Sequence, residues 1–155
     1  RNAGDNATPS GIGLMAEVLA RLHHLTGDEK YRQRAQAVIA AFSGRPDALG
    51  ASPTLLAAAD LLERGACVVV AGDPESPAGA ALLRTALASP DPAVCVLRAP
   101  RPDALPPAHP AHGKTATATA RAFVCRNQSC GLPVTYPAAL AEALAGPGDG
   151  EGAAA

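Results

Sequence analysis

Cys67-Val68-Val69-Val70-Ala71-Gly72-Asp73-Pro74 is the stretch on which the fold turns. A run of apolar residues with adjacent β-branched valines ends at a glycine–acid–proline break, the pattern of a short buried strand. Downstream, Pro77 to Ala88 has helical spacing and Ala93 to Leu97 is a second apolar run. A strand, a helix and a strand within roughly thirty residues form a βαβ unit. Its two strands run parallel, because the helix carries the chain back to the starting edge. From Ala99 to Gly113 the chain holds five of its 15 prolines and reads as an irregular loop. Ala120 to Cys125 is a third strand candidate and Pro137 to Ala145 a final short helix.

Upstream of this unit the periodicity is helical. Ser52 and Pro53 open a helix as cap and first residue, and Leu55, Leu56, Ala59 and Leu62 follow before Gly65 closes it. Residues 10–43 read as a helical hairpin. Ile12, Met15, Val18, Leu19, Leu22 and Leu25 recur at three- and four-residue steps and make one apolar face of a helix. Ser10 caps that helix and Gly27 stops it; Asp28 caps the next, with Tyr31, Ala35, Val38, Ile39 and Phe42 on one side and Gly44 at its end. The expectation is a mixed α and α/β fold in three parts. Residues 1–65 are helical, 66–145 form a small three-stranded α/β unit, and 146–155 are a disordered tail.

Composition narrows the function classes. Hydrophobic residues make up 48% of the chain, but many are alanines, and aromatics are only 3%. Large apolar side chains contribute roughly 1.5–3 kcal/mol each on burial and alanine far less, so the core should be thin and lean on a neighbour. The net charge of −1 leaves no basic stripe for phosphates, and few aromatics are free to stack on bases, so nucleic acid is not an expected partner. No apolar run has the roughly eighteen residues of a membrane helix, and no signal-peptide pattern is visible; a soluble, cytoplasmic chain is the expectation. Four cysteines are too few for a disulfide scaffold.

Three stretches carry a family resemblance. The first is Asp5-Asn6-Ala7-Thr8-Pro9-Ser10-Gly11 leading into Leu22-His23-His24-Leu25-Thr26-Gly27-Asp28-Glu29-Lys30-Tyr31. The second is Val68 to Pro74. The third is Gly113-Lys114-Thr115 followed by Phe123-Val124-Cys125-Arg126-Asn127-Gln128-Ser129-Cys130-Gly131-Leu132-Pro133-Val134-Thr135. Together they resemble the C-terminal portion of the spermatogenesis-associated protein 20 family, whose bacterial members are called thioredoxin domain-containing proteins. The resemblance implies a thioredoxin-like domain, then an (α/α)6 barrel of the six-hairpin glycosidase type. Residues 1–65 would be the barrel's last hairpins and the α/β unit its appendage. The partners implied are the missing N-terminal domains of the same protein. The chain departs from the family at Ile12-Gly13, where Asn-Ser is usual, and at Tyr136, where an acidic helix cap is usual.

Each chemistry-bearing motif also has a plain structural reading. Asp5, Asn6 and Ser10 would sit at a barrel mouth, or simply cap a helix start; a lone Asp lacks the second carboxylate of glycoside hydrolysis. Gly72-Asp73-Pro74 precedes a helix, but Asp73 and Glu75 oppose a phosphate and Pro74 and Pro77 remove N–H donors. No nucleotide or other cofactor is expected there. Gly113-Lys114-Thr115 mimics the end of a P-loop, yet Ala108 stands where the first glycine belongs. Cys125 and Cys130 have three readings: packed reduced thiols, the leading one, a disulfide or redox pair, and a metal site completed by His109 and His112. Cys67 and Cys95 read as small core residues. A non-catalytic element of a multidomain protein is the expectation, with a metal- or redox-thiol module as the alternative.

Overall fold

The computed structural model describes residues 4–43, 50–73, 75–115 and 119–146. The chain forms helices α1 (Gly11–Thr26), α2 (Glu29–Ser43) and α3 (Pro53–Arg64), then strand β1 (Ala66–Ala71). Helix α4 (Pro77–Leu87), strands β2 (Val94–Ala99), β3 (Arg121–Arg126) and β4 (Ser129–Cys130), and helix α5 (Pro137–Ala145) follow. The fold is mixed helix and sheet. The expected tail beyond Gly146, the break at Gly44 and Pro74 lie outside the described residues.

The sheet has the order β2-β1-β3-β4. β1 and β2 are parallel, as the βαβ reading requires, and β3 runs antiparallel to β1 from the other side. Among the described residues the expected three strands are four, because the chain after β3 turns back as the short strand β4. Asn127 and Gln128 make that turn, at φ 48° and 60°. Two consecutive left-handed residues are the requirement of the two-residue hairpin whose twist matches the strands.

Alternate strand residues serve two cores. Cys67, Val69, Cys95, Phe123 and Cys125 face Ala20, Leu61 and Leu62 from the helical layer. Val68, Val70, Ala122 and Val124 face Leu82 and Ala86 of α4 and Leu140 of α5. The helical layer and the sheet therefore share one packed surface. The proline-rich segment closes the first face. Leu105, His109, Ala111 and Thr115 are buried. Its backbone is a chain of turns, His109 to Pro106, His112 to His109 and Lys114 to Ala111, so the prolines shape a fitted cover where an irregular loop was expected.

Helix α1 packs inward through its smallest residues. α1 buries the small residues Gly13, Ala16 and Ala20, with His23 beyond them, while Met15 and Val18 remain 56% and 52% exposed. Close packing explains the choice. A Cβ on Gly13 would lie 2.8 Å from Thr54 Cβ, so α1 and α3 touch along their small residues. Leu14, Met15 and Val18 are left exposed, while Leu19 and Leu25 stay half-buried against the core. At the other end of α1, Gly27 takes φ 72° and lies so close to Ala108 that a Cβ there would collide with the Ala108 carbonyl.

Candidate functional site

The α/β unit places every cysteine of the chain in one line. Cys95 of β2 is the register partner of Cys67 in β1, Cys67 of Cys125 in β3, and Cys125 of Cys130 in β4. Register partners share a sheet face, so the row crosses all four strands on the helical side. Cys125 and Cys130 are bonded to each other, with Cα atoms 3.9 Å apart. They flank the hairpin turn at the pair between Arg126–Ser129 and the Gly131 N–H to Val124 carbonyl bond of 3.0 Å. Opposed residues come closest at such positions in an antiparallel ladder. The expectation of two packed, reduced thiols is therefore corrected: the thiols are brought into bonding range by the register. Cys67 and Cys95 are free and buried.

A histidine pocket adjoins the row. A cavity of ≈ 20 Å³ is lined by His23, His24, Cys67, Cys125, Arg126 and Gln128, among others, about the space one water needs. Hydrogen bonds orient its walls. His23 Nδ1 donates to the Asp28 carbonyl at 3.3 Å, leaving Nε2 to accept from the Gln128 amide at 3.3 Å. His24 Nε2 donates to the Leu61 carbonyl at 2.7 Å. His109 Nδ1 accepts the Ala111 N–H at 3.1 Å, so its Nε2–H faces Cys67 Sγ at 3.6 Å. Burial holds His24 and His109 below the ordinary imidazole value, partly offset by the Leu61 and His24 carbonyls respectively. The same desolvation pushes the Cys67 thiol up to about 12. Cys95 is raised by burial too, against the opposing pull of Arg21, whose Nη1 lies 3.9 Å from its sulfur. Arg126 reaches the other way and donates to the Ala143 and Leu144 carbonyls at 3.1 and 3.2 Å, capping α5 at its C-terminal end.

The metal reading of His109, His112, Cys125 and Cys130 is corrected as well. Zinc binds thiolates, and these sulfurs are tied to each other. His112 Nδ1 is turned to the Leu105 carbonyl at 3.0 Å. Among the described residues no group of three or more His, Cys, Asp or Glu side chains could hold a metal ion.

Asp5 and Ser10 act as braces. Asp5 Oδ1 accepts the Ser10 N–H at 2.6 Å, and Oδ2 accepts both the N–H and the hydroxyl of Thr54 at 2.7 Å. One carboxylate thus ties the starts of α1 and α3, and at α3 it does the capping expected of Ser52, whose side chain makes no capping bond. Those bonds hold its pKa at about 2, which ill suits a proton donor near neutrality. Ser10 Oγ caps α1 by accepting the Gly13 N–H at 3.1 Å. Asn6 is exposed, and its backbone N–H donates to the Thr8 carbonyl at 3.2 Å.

The turn after β1 is closed by its own acids. Asp73 Oδ1 accepts the Glu75 N–H at 2.9 Å, Ser76 Oγ caps α4 at Gly79, and Glu75 pairs with Arg98 at 2.6 Å. In the P-loop mimic, Thr115 is buried and donates to the Pro102 carbonyl at 3.1 Å.

The sequence reading passed over Cys67, His23, His24 and Gln128 as a site. One signal was present: Ala66-Cys67-Val68 and Val94-Cys95-Val96 place cysteine at the same step of two parallel strands. Among the described residues, no helix is long and apolar enough to cross a membrane. No family model, curated protein or solved structure matches the chain.

Proposed function

We propose that the chain is a non-catalytic structural element of a larger cytoplasmic protein. Its helical layer would form the last hairpins of an α/α barrel, and the α/β unit an appendage behind them. The reading extends the resemblance to proteins with a thioredoxin-like domain and a six-hairpin-type barrel. The observation that carries it is the apolar outer face of the helical layer. Leu14, Met15 and Val18 of α1 and Leu56 of α3 are 45–56% exposed. A groove of ≈ 500 Å³ runs beside them, lined by Ile12, Met15, Val38 and Phe42. Contiguous apolar surface of this kind marks a docking face, and further helices of the same protein would cover it. Asp5 and Ser10 are engaged in capping at the helix starts, which commits the Asp5 carboxylate to the backbone rather than to sugar chemistry.

The test is association. The isolated chain should self-associate at micromolar concentrations in analytical ultracentrifugation and bind the upstream barrel segment when that is supplied separately. Met15→Glu with Val18→Glu should abolish both while leaving the far-ultraviolet circular dichroism of the chain unchanged, since both sites are exposed. A monomeric wild-type chain that ignores the upstream segment sinks the reading.

A second reading is favoured by the Cys125–Cys130 bond: a small redox-thiol module. Persistent disulfides are rare in a reducing cytoplasm, where those that form are chiefly catalytic or redox-sensing.

A further inference from the structure

We propose that Cys67 is a built-in exchange partner of the Cys125–Cys130 disulfide, attacking the sulfur of Cys125 so that the bond moves from β3–β4 to β1–β3. Cys67 has this role only if the pair is the redox site of the second reading, which it deepens. The geometry comes from the register. Cys67, Cys125 and Cys130 are successive partners across β1, β3 and β4. Neighbouring strands lie about 4.8 Å apart, so the three positions fall on one line along the hydrogen-bonding direction. Cys67 therefore approaches Cys125 from the side opposite Cys130. That is the in-line approach that displacement at a disulfide sulfur requires.

The step balances without an outside oxidant. The Cys67 Sγ–Cys125 Sγ bond forms and the Cys125 Sγ–Cys130 Sγ bond breaks. The electron pair of the broken bond leaves on Cys130 Sγ, which takes up the proton that Cys67 gives up. Two thiols and one disulfide among the row become two thiols and one disulfide. The surroundings suit the transfer. His109 Nε2–H, 3.6 Å from Cys67 Sγ, is placed to donate to the thiolate as it develops. The ≈ 20 Å³ cavity lined by both Cys67 and Cys125 offers room for the migrating proton. Cys130 is half-buried at the edge strand, whereas Cys67 is 2% exposed. Exchange therefore carries a free thiol from the core to the rim of the sheet.

The high Cys67 value makes exchange slow. Burial disfavours the thiolate that must attack, so few molecules are poised to react at pH 8. A trap makes it readable. The native, air-purified chain is held with iodoacetamide at pH 8, quenched in acid and mapped by mass spectrometry without reduction. The expected result is carbamidomethyl Cys130 together with a Cys67–Cys125 linked peptide pair, both growing with time. Cys67→Ala should abolish both products. Cys130→Ala supplies an independent arm: its Cys125 and Cys67, oxidised with diamide, should link to each other. A Cys125–Cys130 peptide that stays the sole disulfide, with Cys67 and Cys95 labelled only after unfolding, overturns the exchange but leaves the redox pair. Four free thiols in the purified chain would remove the redox pair and the exchange together.

Discussion

Breaking the Cys125–Cys130 bond should cost the protein about 2 kcal/mol of stability. The bond joins residues five apart in sequence. Closing so short a loop removes roughly 7 cal/mol/K of entropy from the unfolded chain, about 2 kcal/mol at 25 °C. The native side of the balance should barely move. The hairpin keeps its turn and its Gly131–Val124 bond, and Cys125 keeps its place in the core beside Phe123 and Cys67. For a chain of this size that loss corresponds to roughly 6 °C in melting temperature. Urea unfolding followed by circular dichroism checks it on three samples: oxidised protein, protein reduced with a phosphine, and Cys125→Ala with Cys130→Ala. Alanine is chosen because serine would bury a hydroxyl. The reduced and double-substituted samples should agree, with the same urea dependence as the oxidised one. Oxidised and reduced proteins that unfold within ~0.3 kcal/mol of each other would refute the reasoning, since the cross-link would then constrain nothing.

Gly13→Val should destabilise by about 1–3 kcal/mol in the same assay, because a Cβ there meets Thr54 at 2.8 Å; a neutral result would mean α1 and α3 do not pack on this stripe. Stability should fall as pH drops below about 6.5, where the unfolded chain protonates histidines that burial keeps neutral at His24 and His109. Melting temperatures unchanged between pH 7 and pH 5 would count against those buried imidazoles. A second loss belongs to Asp5: its stabilisation is complete above the unfolded value of 3.8 and disappears as pH falls toward about 2. Asp5→Asn should flatten the melting curve's pH dependence in that window. Calorimetric titration with ATP or NAD should give no heat, because Asp73, Glu75 and Ser76 already occupy the turn before α4; a micromolar site lost on enlarging Gly72 would contradict this.

The element order was largely legible, and the reasons are local. Ser10 and Gly27 bound α1, Pro53 and Gly65 bound α3, and the valine run with its Gly72 stop announced β1. What was hidden depended on partners far along the chain. The periodicity of Ile12, Met15 and Val18 identifies an apolar face but cannot say what covers it. The fold instead buries Gly13, Ala16 and Ala20, whose value lies in close approach rather than in area. β4 was missed because Gln128 seldom takes a positive φ, so Asn127-Gln128 lacks the glycine that normally signals such a turn. Asp5 was recognised as a cap. Its second helix, far away in sequence, emerges only from the packing of α1 on α3.

The strand order carries a consequence for how the protein reaches its native state. β1, α4 and β2 are contiguous, so the parallel pair can assemble from neighbouring chain. β3 joins β1 on its opposite edge only after the segment from Pro100 to Ala120 has been synthesised and closed. Long-range closure of this kind is the slow part of folding. Until it happens, Val68-Val69-Val70 presents an unpaired strand edge, the sort of template on which chains stick to one another. The yield of soluble protein should therefore depend on how quickly the proline-rich cover folds down. Shortening or loosening that cover should show first as aggregation during expression, before it shows in the stability of whatever protein has folded.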